Sequence, residues 1–119
     1  MSKHILLISY DDQLLIARRK LLEQEGYRVS CALGRREAVR SSENGSSFDL
    51  LILGPSIPRA DREELIRVFR AGSGAPILSL WTHNEGVTEG INYLAFSDTP
   101  NKLLANVEAI FARRSRASA

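Results

Sequence analysis

One cysteine, Cys31, is all the chain of 119 residues has, so an internal disulfide is excluded and the fold must stand on its core. Charge of one sign is also lacking. Sixteen Lys and Arg stand against 14 Asp and Glu, a formal +2, which gives no broad nucleic-acid surface. The two histidines, His4 and His83, are isolated, and no His, Cys, Asp or Glu spacing forms a metal site. Long apolar runs are absent too. Ile5-Leu6-Leu7-Ile8 is far too short for a signal-peptide core or a membrane span. Gly72-Ser73-Gly74-Ala75-Pro76 is glycine-rich but lacks a following Lys-Ser/Thr and precedes an apolar run, so it is a turn and not a phosphate loop.

What is present suits one globular domain, with 44% hydrophobic and 25% charged residues. Two periodicities alternate. Short apolar or β-branched runs at Ile5 to Ser9, Arg28 to Ala32, Asp49 to Leu53, Pro76 to Leu80 and Tyr93 to Phe96 read as strands. Between them, Leu14, Leu15, Arg18, Leu21 and Leu22 recur at helical steps and stop at Gly26. Leu65, Ile66 and Phe69 recur likewise before Gly72, and Leu103, Leu104, Val107, Ile110 and Phe111 form a stripe after Pro100. The second helix, Arg36 to Ser42, has only Ala38 and Val39 as an apolar face, and the space between Trp81 and Tyr93 admits a short helix at most.

Such alternation predicts an α/β fold, a three-layer α/β/α sandwich. Its flavodoxin-like five-stranded parallel sheet has order 2-1-3-4-5, and the fourth helix is short or missing. The crevice of that sheet lies outside the carboxyl ends of the first and third strands. In this sequence those ends carry Ser9, Tyr10, Asp11, Asp12 and Gly54.

Four stretches in this order and spacing resemble the receiver domain of two-component response regulators: Ile5 to Ile8 with the acidic turn after it, Leu21 to Val29, Phe48 to Pro58, and Leu103 to Phe111. The resemblance implies phosphoryl transfer to an aspartate ending the third strand, with an acidic pair that binds Mg²⁺. It also implies a Ser or Thr ending the fourth strand, which responds to the phosphate, and a Lys ending the fifth. Carried over position by position, the acidic pair falls on Ser9 and Tyr10, the phosphoacceptor on Gly54, the hydroxyl on Trp81 and the lysine on Phe96. Pro58 keeps the family's proline, whereas Ser97 replaces the one after the lysine.

The expectation is therefore a degenerate receiver, or pseudo-receiver, over residues 1–112 with a basic tail at 113–119. It needs no cofactor, with Mg²⁺ binding lost, and no enzymatic activity is expected. Asp11 and Asp12 could serve as weak cation ligands if the first strand ran two residues longer, though a solvated helix N-terminus is the plainer role. Asp49 opens the third strand and is structural, about 15 Å from Gly54 at the usual rise per residue. Tyr10, Trp81 and Phe96 are expected to fill the former pocket as an aromatic plug, with Trp81 packed over Gly54, so that Gly54→Asp destabilises.

Partners follow from the resemblance: a histidine kinase, a phosphotransfer protein or another receiver, or a homodimer. They would meet a surface that includes Tyr93, Asn101, Lys102 and Asn106. No membrane is expected, nucleic acid is disfavoured, and a cytoplasmic location fits a reduced Cys31. Two alternatives stand beside this: a conventional phospho-accepting receiver with a displaced carboxylate, and a small-ligand sensor using the aromatic crevice. The Arg113-Arg114-Ser115-Arg116 tail could touch nucleic acid but reads first as a solvated, frayed terminus.

Overall fold

The computed structural model describes residues 3–43, 47–81, 93–96 and 100–118; for 81, 93–96, 100 and 114–118 the description is of the backbone. Strands and helices alternate as β1 (His4–Ser9), α1 (Asp12–Gln24), β2 (Arg28–Leu33), α2 (Gly34–Glu43), β3 (Leu50–Leu53), α3 (Arg59–Gly72), β4 (Ile77–Trp81), β5 (Tyr93–Phe96) and α4 (Pro100–Ser118). All five strands are parallel in the order β2-β1-β3-β4-β5, as the alternation predicts. The segment in which a short fourth crossover helix was considered, 82–92, lies outside the described residues.

Side chains along the central strands alternate between two cores, because successive residues of a strand face opposite sides. Ile5, Leu7, Leu50, Ile52, Leu78 and Leu80 meet Leu15 and Leu22 of α1 and Leu103, Val107, Ile110 and Phe111 of α4. Leu6, Ile8, Leu51, Leu53 and Ile77 meet Ala38 of α2 and Leu65, Ile66 and Phe69 of α3. Each side chain buried this way contributes about 1.5–3 kcal/mol, so the all-buried β3 is the anchor of the sheet.

Local signals set the element ends. Asp11 caps α1, its carboxylate accepting from the amides of Gln13 and Leu14. Gly26, at φ +92°, closes α1: its amide bonds the Glu23 carbonyl and that of Tyr27 bonds the Leu22 carbonyl, a Schellman turn. The second helix is longer than its apolar face suggests because Gly34, at φ +84°, turns the chain directly out of β2. Glu37 in its first turn then accepts the Leu33 amide.

Helix α4 also outruns the sequence boundary. It continues to Ser118, through the stretch expected as a frayed tail, because nothing from Ala112 onward is Gly or Pro and Ala and Arg favour helix. Among the described residues no helix is long and apolar enough to cross a membrane.

Candidate functional site

The carboxyl ends of β1, β3 and β4 form the candidate site, and the side chains gathered there set it apart from the rest of the core. Among the described residues the buried polar side chains are Ser9, Arg62 and Ser79, and all three belong to this edge. Their burial has to be compensated by hydrogen bonds.

β1 ends at Ser9, which fixes the register of the turn after it. The Ser9 hydroxyl donates to the Asp11 carbonyl at 3.0 Å and accepts the Asp11 amide at 3.1 Å. Asp11 is thus the N-cap of α1, and Asp12 lies exposed in its first turn. The longer first strand that would have made these two a cation-binding pair does not form. Tyr10 follows β1 directly. Its amide donates to the Ser56 hydroxyl at 3.2 Å, and its phenol reaches α3 and donates to Asp61 Oδ2 at 2.8 Å. Burial, then the hydrogen bond and the charge of Asp61, push the Tyr10 phenol above its usual range.

Gly54 follows β3 directly and is buried. Its amide donates to the Ile8 carbonyl at 2.9 Å, which draws the two strand ends together. A Cβ at this position would stand 3.2 Å from that carbonyl oxygen, 3.4 Å from the Arg18 guanidinium and 3.6 Å from Ser9 Cβ. These described neighbours are polar, not aromatic. Burial lowers the pKa of Arg18, and the charge of Asp11 acts the other way.

On the opposite side of the sheet a second arginine closes the site. Arg62 of α3 is 5% exposed. One guanidinium nitrogen donates to Ser79 Oγ at 2.6 Å and the Leu80 carbonyl at 3.0 Å. The other donates to the Gly54 carbonyl at 3.2 Å and the Ile57 carbonyl at 3.1 Å. Neither arginine was singled out from sequence as a site residue, yet each carries a signal. Arg18 occupies the core register of α1 among Leu15 and Leu22, and Arg62 stands one turn ahead of Leu65 and Ile66 on the buried face of α3. An arginine in an apolar stripe is the mark to look for.

Trp81 ends β4 and pairs in register with Phe96 of β5. The side chains of both, and that of Tyr93, lie outside the described residues. Of the expected plug only Tyr10 is described in full, and its hydroxyl is anchored on α3. Asn101 and Lys102 are exposed on α4, whereas the Asn106 amide is turned back onto the Lys102 carbonyl at 2.8 Å. At the other edge of the sheet, Asp49 accepts the His4 amide at 2.7 Å, the structural role expected of it. A cleft of about 470 Å³ also lies at that far edge, between Phe48, Phe69, Ser73 and Pro76.

The residues present do not fit Mg²⁺. A hard cation needs several carboxylate or carbonyl oxygens, but the positions concerned hold Ser9, Tyr10 and Gly54, and one oxygen of the Asp11 carboxylate already accepts from two α1 amides. The charged groups nearest Gly54 among the described residues are guanidinium groups, which repel a divalent cation.

No protein-family model matches the chain. It is 32% identical over 121 residues to the regulatory protein VanRB of Enterococcus faecalis, with 95% of this chain and 54% of that protein covered. To the protein PetR of Rhodobacter capsulatus it is 30% identical over 118 residues, covering 92% and 49%. The chain thus spans about half the length of the curated relatives it matches. Among solved structures, a two-component response regulator from Clostridium difficile superposes with a TM-score of 0.83 at 22% identity, covering 95% of this chain and 98% of that one. The receiver domain of the hybrid histidine kinase CckA does so at 0.72 and 27% identity, covering 89% and 96%. The chain has the fold of the response-regulator receiver domains.

Proposed function

We propose that the chain is a receiver-type signalling module that works without accepting a phosphoryl group, through contacts with other proteins in a two-component or phosphorelay pathway. The observation that carries this reading is Gly54. The place of the acceptor carboxylate is held by a residue without a side chain, 2.9 Å from the Ile8 carbonyl and backed by Arg18. The described carboxylates nearby have other tasks: Asp11 caps α1, and Asp61 holds the Tyr10 phenol. Neither is presented as a nucleophile at the end of β3.

On this reading the module is not an enzyme and needs no Mg²⁺. Its effect passes through a partner protein: a histidine kinase, a phosphotransfer protein, another receiver or a second copy of itself. Incubation with acetyl phosphate and Mg²⁺ followed by intact-mass measurement tests it. No phosphoryl adduct is expected, and a stoichiometric, acid-stable or hydroxylamine-sensitive adduct would overturn the reading.

A further inference from the structure

A guanidinium presents five N–H donors in a rigid plane and cannot shed its charge, so wherever it is fully bonded it fixes its acceptors relative to one another. Arg62 bonds acceptors on three separate segments at once: the Gly54 carbonyl after β3, the Ile57 carbonyl in the loop leading to α3, and Ser79 Oγ with the Leu80 carbonyl in β4. Three of the four are backbone groups, so the bonds hold the course of the chain and not merely side-chain positions. Burial keeps water from replacing the guanidinium.

The held segments include those a switchable receiver would move. On the receiver resemblance, the hydroxyl that answers a new phosphate would fall at Trp81, next to Leu80, and the acceptor carboxylate at Gly54. We propose that Arg62 is a built-in cation that locks the carboxyl ends of β3 and β4 and the β3–α3 loop into one arrangement. The surface offered to partners is then constitutive instead of switched. This rests on the receiver reading above for its functional meaning, but the lock itself is a property of the geometry.

Amide hydrogen exchange on the full chain tests it, comparing the wild type with Arg62→Met and Arg62→Lys. The β1 amides of residues 5–8 report global opening, and those of residues 54, 56, 57 and 79–81 report the lock. Arg62→Met should speed exchange in the lock segments about tenfold beyond any change in β1, with Arg62→Lys recovering part of the protection. An equal change in both regions, or no recovery by lysine, would overturn the proposal. If Arg62→Met fails to fold, Ser79→Ala removes one acceptor and should give a smaller acceleration confined to the same segments; a uniform one would overturn the lock. The outcome is separable from the phosphorylation test. An adduct on the wild type would remove the phosphate-free reading and leave the exchange pattern interpretable, whereas uniform exchange without an adduct would remove the lock alone.

Discussion

The two edges of the sheet tie their strands together with charges of opposite sign and in opposite surroundings. At the amino edge the exposed Asp49 carboxylate takes the His4 amide, and the His4 ring bridges the Ser47 carbonyl at 2.9 Å and the Ser30 hydroxyl at 2.7 Å. At the carboxyl edge the tie is a buried guanidinium with four acceptors. Water can replace a lost bond at the first edge and cannot at the second. The same kind of contact is therefore dispensable in one place and structural in the other. The Asp49 carboxylate stands at the amino end of β3, and two guanidinium groups stand near its carboxyl end.

The largest break of that contrast is Arg62→Met. It leaves buried carbonyls without donors and should cost about 3 kcal/mol in urea unfolding, well above any change at the amino edge. Substitution at Gly54 comes next. The Ile8 carbonyl that a Cβ would press upon belongs to a strand bonded on both sides and cannot yield, so Gly54→Ala should cost about 1–2 kcal/mol.

Gly54→Asp meets the same obstruction but places a carboxylate beside Arg18, so it should be less destabilising than alanine. The sign with pH follows from the pairing. A carboxylate beside a cation has its folded pKa depressed, so its contribution is present above the unfolded value of about 4 and is lost as pH falls through the folded one. The advantage of aspartate over alanine should vanish in acid and in an Arg18→Gln background. An advantage that survives both would show that Arg18 is not its source.

Asp49→Ala at the exposed edge should cost about 1 kcal/mol or less, read in the same unfolding series. The smallest effect concerns Tyr10. Its phenol pKa is raised on folding, so its contribution is intact below the unfolded value of about 10 and declines above it. Tyr27 is raised as well, by burial first, so the wild type and Tyr10→Phe must be compared. The decline in stability at alkaline pH should be shallower in Tyr10→Phe.

The scaffold was legible because its signals are local and periodic. The buried run Leu50 to Leu53, the stop at Gly26 and the stripe Leu103 to Phe111 each predict their element, and right-handed crossovers leave little freedom in strand order. Ser9, Tyr10 and Gly54 do gather at the carboxyl ends of β1 and β3, where the strand-helix alternation puts the crevice. The polar partners there were not legible: the Tyr10 phenol is drawn to Asp61, a partner 51 residues away, and arginines from two helices approach Gly54 from opposite sides, while the side chains of Trp81 and Phe96 lie outside the described residues. Hydrogen-bond geometry of that kind depends on where helices dock, which periodicity does not specify. The helical course of the chain from Arg113 to Ser118 is a matter of propensity, since Ala and Arg favour helix.

The central claim is that the carboxyl edge is held by internal cations and does not respond to a phosphoryl group. Amide spectra recorded with Mg²⁺ and beryllofluoride, which mimics a phosphoryl group on a carboxylate, test it most directly. The account predicts that residues 8–11, 54, 56, 57 and 79–81 keep their amide resonances at saturating additive. Saturable shifts confined to those residues would contradict it.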